Sequence, residues 1–392
     1  MQGQQQEFGL AGDPMVVAGL GDPTYRVVED LQSCGVNMSE IKKLQEAGYS
    51  TVGSVLQACT RDLIAIKGFS DAKVEKIREA ARKLDIRGGC FKSGLEMKEK
   101  RRTIIRITTG SNALDNILGG GIETGSITEL FGEFRTGKTQ ICHTICVTGQ
   151  LAFESKGGQG KVLYMDTEGT LLAIDACGSS STRHCLFRAP PPCRPPSLSP
   201  LLPTVTSPPY PSLPLLGNFR SERIESIAQR YGLDTETTLE NIIVCRVYSH
   251  EEQMENVKAI AALLADPSQG PFRILIIDSI IALFRAEYSG RGELAERQQK
   301  LGQHLAHLIK CAEEFNIAVV VVNQVMADPG AVTMFGPVVK PIGGHVLAHA
   351  STTRVFLKKG KGEQRIAKIF DSPLMPEEEA TFAISAGGIC DV

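Results

Sequence analysis

The chain has 392 residues, 42% of them hydrophobic and 22% charged, a balance ordinary for globular protein. A formal net charge of −2 excludes a histone-like basic protein, so any contact with nucleic acid has to come from local patches. No apolar run reaches the roughly 18 residues a membrane helix needs, residues 1–7 do not read as a secretory signal, and eleven cysteines without CxxC pairs read as reduced thiols of an intracellular protein.

Residues 1–21 are polar and aperiodic and are expected to form a disordered tail. Residues 22–87 are expected to build a small all-α domain. Ile41, Leu44, Ala47, Val52, Val55 and Leu56 recur at the three- and four-residue spacings of helical faces. Residues 63–77 read as helix, tight turn at Gly68, N-cap at Ser70 and second helix, the form of a helix-hairpin-helix. The free N–H groups of such a turn suit a DNA phosphate, which makes Gly68 a candidate DNA contact. On the turn alone, an αα-hairpin that binds nothing accounts for it equally well.

Residues 88–103 read as a linker, with Gly88-Gly89 breaking the helix and 98–102 a charge run that is either a solvated face or a DNA contact. From Thr103 short runs rich in Ile and Val alternate with helix-period segments. Strands are expected over 127–131, 162–165, 242–245, 274–277, 317–322, 354–357 and 366–370. Continuous apolar runs of this kind point to a mostly parallel central sheet buried on both faces, an α/β core over 104–392. One stretch does not fit: residues 171–218 hold 11 of the chain's 20 prolines and only four charged residues. Proline at that density builds neither helix nor interior strand, so a disordered, Pro-rich insert is expected.

Gly132-Glu133-Phe134-Arg135-Thr136-Gly137-Lys138-Thr139 fits G-x-x-x-x-G-K-[ST] between an apparent strand and a helix. Glycines let the backbone curl so that its N–H groups face phosphate oxygens. The lysine of such a loop reaches the terminal phosphates, and its Thr hydroxyl serves Mg²⁺. Asp278, ending an apolar run, is the candidate second metal group, where a lone strand would use it only to cap a turn. Glu168 is the candidate base for orienting water, with Asp166 as runner-up. Gln324 is either a γ-phosphate sensor or an ordinary polar strand end.

Several further segments accompany this loop: Asp166-Thr167-Glu168-Gly169-Thr170, Ser289-Gly290-Arg291-Gly292-Glu293-Leu294, Lys340-Pro341-Ile342-Gly343-Gly344 and His349-Ala350-Ser351-Thr352-Thr353. Together with the loop and the Asp278 strand they resemble the eukaryotic RecA-type strand-exchange recombinases over residues 22–392, the insert excepted. Ala327-Asp328-Pro329-Gly330-Ala331, Ile366-Ala367-Lys368 and Met375-Pro376 are most similar to the meiosis-specific branch. In that family Asp-Thr-Glu-Gly-Thr runs directly into Phe-Arg-x-x-Arg. Here Thr170 is cut from Phe219-Arg220-Ser221-Glu222-Arg223, so residues 171–218 read as a retained intron or a gene-model artefact.

The resemblance implies a RecA-like P-loop ATPase core behind a helix-hairpin-helix domain. It implies an ATP- and Mg²⁺-dependent protein that forms filaments on single-stranded DNA and exchanges strands with duplex DNA in the nucleus. Partners would be both DNA forms, further copies of the chain in filaments or rings, and recombination accessory proteins, with no membrane. The resemblance places residues 132–139 and Arg223 on ATP, and Thr139 and Asp278 on the metal. Lys138, Glu168 and Gln324 become the catalytic group. Asp371 and Pro376 would cap the nucleotide of a neighbouring protomer, and His349 would couple nucleotide to DNA. Arg291, Phe335 and Lys340 fall in two DNA loops. Phe91 matches an aromatic polymerisation anchor, while Gly94 stands where alanine is usual, keeping the small size but loosening the backbone. A mitotic-type recombinase, a regulatory paralogue that binds ATP without strand exchange, and a ring helicase on the same core are the alternative readings.

Overall fold

A computed structural model describes residues 25–85, 91–168, 217–288, 290, 292–333 and 336–392. The expected tail, all but the last two residues of the Pro-rich insert, Arg291 and Phe335 lie outside the described residues.

The N-terminal part is helical. Helices Met38–Glu46, Val52–Gln57, Thr60–Ile64 and Asp71–Leu84 close over a core that includes Leu31, Ile41, Leu44, Val55, Val74 and Ile77. Asn37 and Thr51 start the first two with capping boxes, satisfying N–H groups that a helix leaves unpaired. The turn before the fourth helix passes through Gly68 at φ +90°, a conformation that favours glycine. Ser70 stands at the N-cap position, but its side chain makes no capping hydrogen bond there.

The core is a nine-stranded sheet among the described residues. After a short ribbon of β1 (Arg106–Ile107) and β2 (Ile122–Glu123), its strands are β3 (Ser126–Gly132), β4 (Lys161–Asp166), β5 (Ile242–Arg246), β6 (Phe272–Asp278) and β7 (Ala318–Asn323). A separate antiparallel ribbon of β8 (Val325–Thr333) and β9 (Gly336–Pro341) follows, covering most of residues 327–344, which the family resemblance implies as the second DNA loop. The sheet is completed by β10 (Thr353–Lys359), β11 (Gln364–Asp371), β12 (Glu379–Ser385) and β13 (Gly388–Asp391). The spatial order is β13-β12-β11-β10-β3-β7-β6-β4-β5. From β10 to β5 every pairing is parallel, and β11 to β13 add an antiparallel flank.

The unbroken apolar runs follow from burial on both faces. In β7, Ala318, Val320 and Val322 pack with helix Lys138–Thr148, whereas Val319 and Val321 pack with helix Leu294–Phe315. In β6 the same alternation sends Ile274 and Ile276 one way and Leu275 and Ile277 the other. Each such valine, leucine or isoleucine contributes roughly 1.5–3 kcal/mol on burial. The parallel register brings Gly132, Asp166, Asp278 and Asn323 to one edge of the sheet, where Asp166 lies opposite Asp278 and Phe131 opposite Asn323. Ligands of open α/β sheets bind at that carboxyl edge.

Candidate functional site

The loop leaves β3 at Gly132, where a Cβ would collide with the Leu357 carbonyl of β10, and enters the helix through Gly137 at φ +101°. Both conformations demand glycine, which is why the motif spaces them as it does. The Lys138 ammonium donates to the carbonyls of Gly132 at 2.9 Å and Glu133 at 2.7 Å, so it lies along the inside of the loop. Burial draws its pKa below the ordinary lysine value, against the opposing pull of Asp278 and Glu168.

Asp278 is buried at the end of β6. Its Oδ2 accepts from the Thr139 hydroxyl at 2.7 Å and the Tyr164 hydroxyl at 3.0 Å. Burial, and then the charge of Glu168, push its pKa up to about 7. A divalent cation would reverse that penalty. The hydroxyl and carboxylate oxygens of Thr139 and Asp278, beside a lysine and a glycine loop, fit a hard cation that keeps phosphate and water as its other ligands.

Across the cavity Glu168 is held by two amides. Gln324 Nε2 donates to its Oε1 at 2.8 Å, and Asn218 Nδ2 donates to its Oε2 at 2.8 Å. Asp166, the runner-up base, has a different fate. Its Oδ1 accepts the backbone N–H of Glu168, and its Oδ2 accepts those of Asn218 and Phe219, at 3.3, 2.8 and 3.3 Å. Arg223 lies at the far wall, where its Nε donates to Gln140 at 2.7 Å and its guanidinium also reaches the carbonyls of Ser385 and Ala386. A cavity of about 820 Å³ joins these groups, lined by the whole loop together with Glu168, Arg223, Asp278 and Gln324.

The cavity thus gathers Gly132, Glu133, Phe134, Arg135, Thr136, Gly137, Lys138, Thr139, Glu168, Arg223, Asp278 and Gln324. The remaining expected residues lie elsewhere. Phe91 is fully exposed, and Gly94 opens a helix, Gly94–Arg101, that Ser93 and Glu96 hold with a capping box. That cap restrains the backbone freedom expected of Gly94. Asp371, the last residue of β11, and Pro376 beyond it are exposed, outside the cavity of their own chain. His349 is exposed on helix Gly344–Ala350, Lys340 is exposed on β9, and Gly68 is in the N-terminal domain.

Asn218, Gln140 and Arg285 are among the contributors that the sequence alone does not mark as site residues. Asn218 was counted with the insert. Gln140 follows the motif by one residue and could have been inferred from it. Arg285, on helix Ala282–Glu287, donates to Gln324 Oε1 at 3.4 Å and has no sequence signal. The same Gln324 accepts the Ile342 N–H on its backbone carbonyl at 3.0 Å, while Asn323 Nδ2 donates to the Ile342 carbonyl at 2.7 Å. The cavity is thereby tied to the end of the β8–β9 ribbon.

A family model described as Rad51 matches residues 100–177 and 214–392, its break falling within the Pro-rich stretch. The meiotic recombination protein DMC1 homolog A of Oryza sativa subsp. japonica is 47% identical over 367 residues, covering 94% of this chain and 91% of the relative. The meiotic recombination protein DMC1/LIM15 homolog of Mus musculus is 45% identical over 388 residues, with 99% and 97% covered. The meiotic recombination protein DLH1 of Candida albicans is 46% identical over 366 residues, with 93% and 97% covered.

Proposed function

Because this chain belongs to the Rad51 family, we propose that it is an ATP-dependent recombinase of meiosis, assembling on single-stranded DNA and exchanging strands with homologous duplex DNA in the nucleus. Identity close to half, over nearly the whole length, to proteins described as meiotic recombination proteins supports the meiotic branch.

The chemistry asked of the protein is hydrolysis of a nucleoside triphosphate. The curled loop and Lys138 bind its phosphates, and Arg223 lies where a base would extend along the cavity. Thr139 and Asp278 would hold Mg²⁺, which when bound would neutralise charge on the phosphate oxygens. Glu168 accepts the proton of the attacking water. Asp371 and Pro376, exposed on their own chain, are free to close on the nucleotide of a second protomer. Phe91, fully exposed on the linker, supplies a hydrophobic plug for that protomer. A head-to-tail contact that does not close on itself propagates as a filament. The DNA contacts fall to 288–292, to the β8–β9 ribbon with Lys340, and to the turn at Gly68. Backbone contacts suffice there, because base pairing carries the sequence information.

The observation that supports this reading best is the path Glu168–Gln324–Ile342. It runs from the hydrolytic carboxylate to the end of the ribbon in three named residues. Joint-molecule formation between a circular single strand and a linear duplex is the test. Products that require ATP, and are lost in Lys138→Ala, are expected. Net unwinding without pairing would instead favour a helicase. ATP binding with neither activity would favour a regulatory paralogue.

A further inference from the structure

The Pro-rich interruption ends inside the site. Asp166 collects both ends of it: Glu168 N–H on one oxygen, Asn218 and Phe219 N–H on the other. Asp166 is 2% exposed, so this carboxylate serves as a buried mooring. Moored there, Asn218 turns its side chain onto Glu168. Its amide and that of Gln324, on opposite sides, each donate to a different oxygen of one carboxylate, both at 2.8 Å. Every carboxylate oxygen has a second lone pair, so both remain able to accept from water. The terminal torsion of a glutamate is broad and weakly defined. One donor leaves the carboxylate plane free to swing, whereas two donors on opposite oxygens fix it.

We propose that Asn218 is a positioning residue for hydrolysis, holding the plane of the Glu168 carboxylate together with Gln324. The proposal rests on the reading of Glu168 as the base. It assigns to the last residue of the Pro-rich stretch a part in turnover, so the junction is an element of the site and not only a scar beside it.

Steady-state ATP hydrolysis by the full chain on single-stranded DNA tests it, with Asn218→Ala, the similarly sized and uncharged Asn218→Leu that lacks the donor, Glu168→Gln, and the Glu168→Gln, Asn218→Ala double variant. Both Asn218 variants are expected to lose about tenfold in kcat, as for a hydrogen bond to a charged group, with KM for ATP and thermal midpoint unchanged. The double variant is expected to be no slower than Glu168→Gln alone, because the amide acts only through that carboxylate. Unchanged kcat in both single variants would overturn the proposal. So would a rise in KM alone, or an equal further loss on the Glu168→Gln background. Full activity of Glu168→Gln would instead show that the base lies elsewhere, and the bracket would fall with it.

Discussion

Two carboxylates two residues apart at the end of β4 meet opposite fates. Asp166 gives both oxygens to backbone N–H groups, while Glu168 faces the cavity between side-chain amides. Glu168→Gln is therefore expected to slow hydrolysis by roughly 10²–10⁴-fold, the usual worth of a general base. A fluorescent-nucleotide titration should find binding intact. Asp166→Ala is expected to act on stability instead, by about 1–3 kcal/mol in urea unfolding, since it strands three part-buried backbone donors. The histidines make a second residue-scale case. Burial, with Arg223 and Arg220 nearby, pushes His143 down to about 4, and burial pushes His304 down to about 3. The folded chain thus binds fewer protons than the unfolded chain below the ordinary histidine value. Their contribution to stability is fully present above pH 6.5 and is lost as pH falls toward 4, with a slope of up to about 1.4 kcal/mol per pH unit for each group. Urea midpoints measured between pH 6.5 and 5 should fall accordingly, less the opposing effect of Asp278, which takes up a proton below about pH 7 in the folded chain, and His143→Asn should flatten part of the slope.

Strands β3 and β10 carry the nucleotide loop, and what locks their register is a charge pair. Arg354 Nε donates to Glu129 Oε2 at 2.6 Å, both buried, and Asn323 of β7 donates to the other Glu129 oxygen at 2.8 Å. The Arg354 guanidinium also lies over Phe131 and Phe370, 5.4 Å from each ring centroid. Arg354→Met leaves a buried carboxylate short of its cation, and a loss of roughly 3–5 kcal/mol is expected in equilibrium unfolding. The double change Glu129→Gln, Arg354→Met should recover part of it. None of this pairing could be read from sequence, because its partners are 225 residues apart. The strands themselves were legible, since burial on both faces writes an unbroken apolar run, as in β6 and β7. The loop was legible because phosphate binding fixes glycine and lysine spacing. The run 366–370 marks β11 as well, but β12 and β13 were not legible: β13 is short, and the alternation of β12 between buried and exposed positions is irregular. Nor was Asn218, an amide at the end of a stretch whose prolines dominate its composition. The ribbon of β8 and β9 is expected as a loop from the family resemblance alone; its strands pair on either side of Asp328-Pro329-Gly330, at 325–327 with 339–341 and at 332–333 with 336–337.

At the scale of the molecule, the helical domain is docked onto the α/β core. The Tyr25 hydroxyl donates to the Leu264 carbonyl at 2.9 Å, and its ring meets Phe315 edge-on at 4.8 Å between centroids. Lys310 reaches the Gln57 carbonyl at 3.3 Å, and the Thr51 hydroxyl donates to Glu314. Thr51 does two jobs, since the same oxygen caps helix Val52–Gln57. Thr51→Ala is expected to lower stability by about 2 kcal/mol, a cap plus a buried hydrogen bond. Limited proteolysis should then cut the linker sooner than in the unaltered chain. Phe91, Leu95 and Met97 on that linker are exposed large apolar side chains on a chain of small net charge. Phe91→Ala is expected to leave the monomer's melting unchanged and to shorten the filaments seen by electron microscopy.

The shared mooring of Glu168 and Asn218 on Asp166 has a practical corollary. A connection whose two ends are pinned at one carboxylate is tolerant of length, because doubling such a tether costs only about 0.6 kcal/mol in closure entropy. Replacing the residues between those moorings with a link of another length is therefore expected to shift urea unfolding by no more than about 1 kcal/mol.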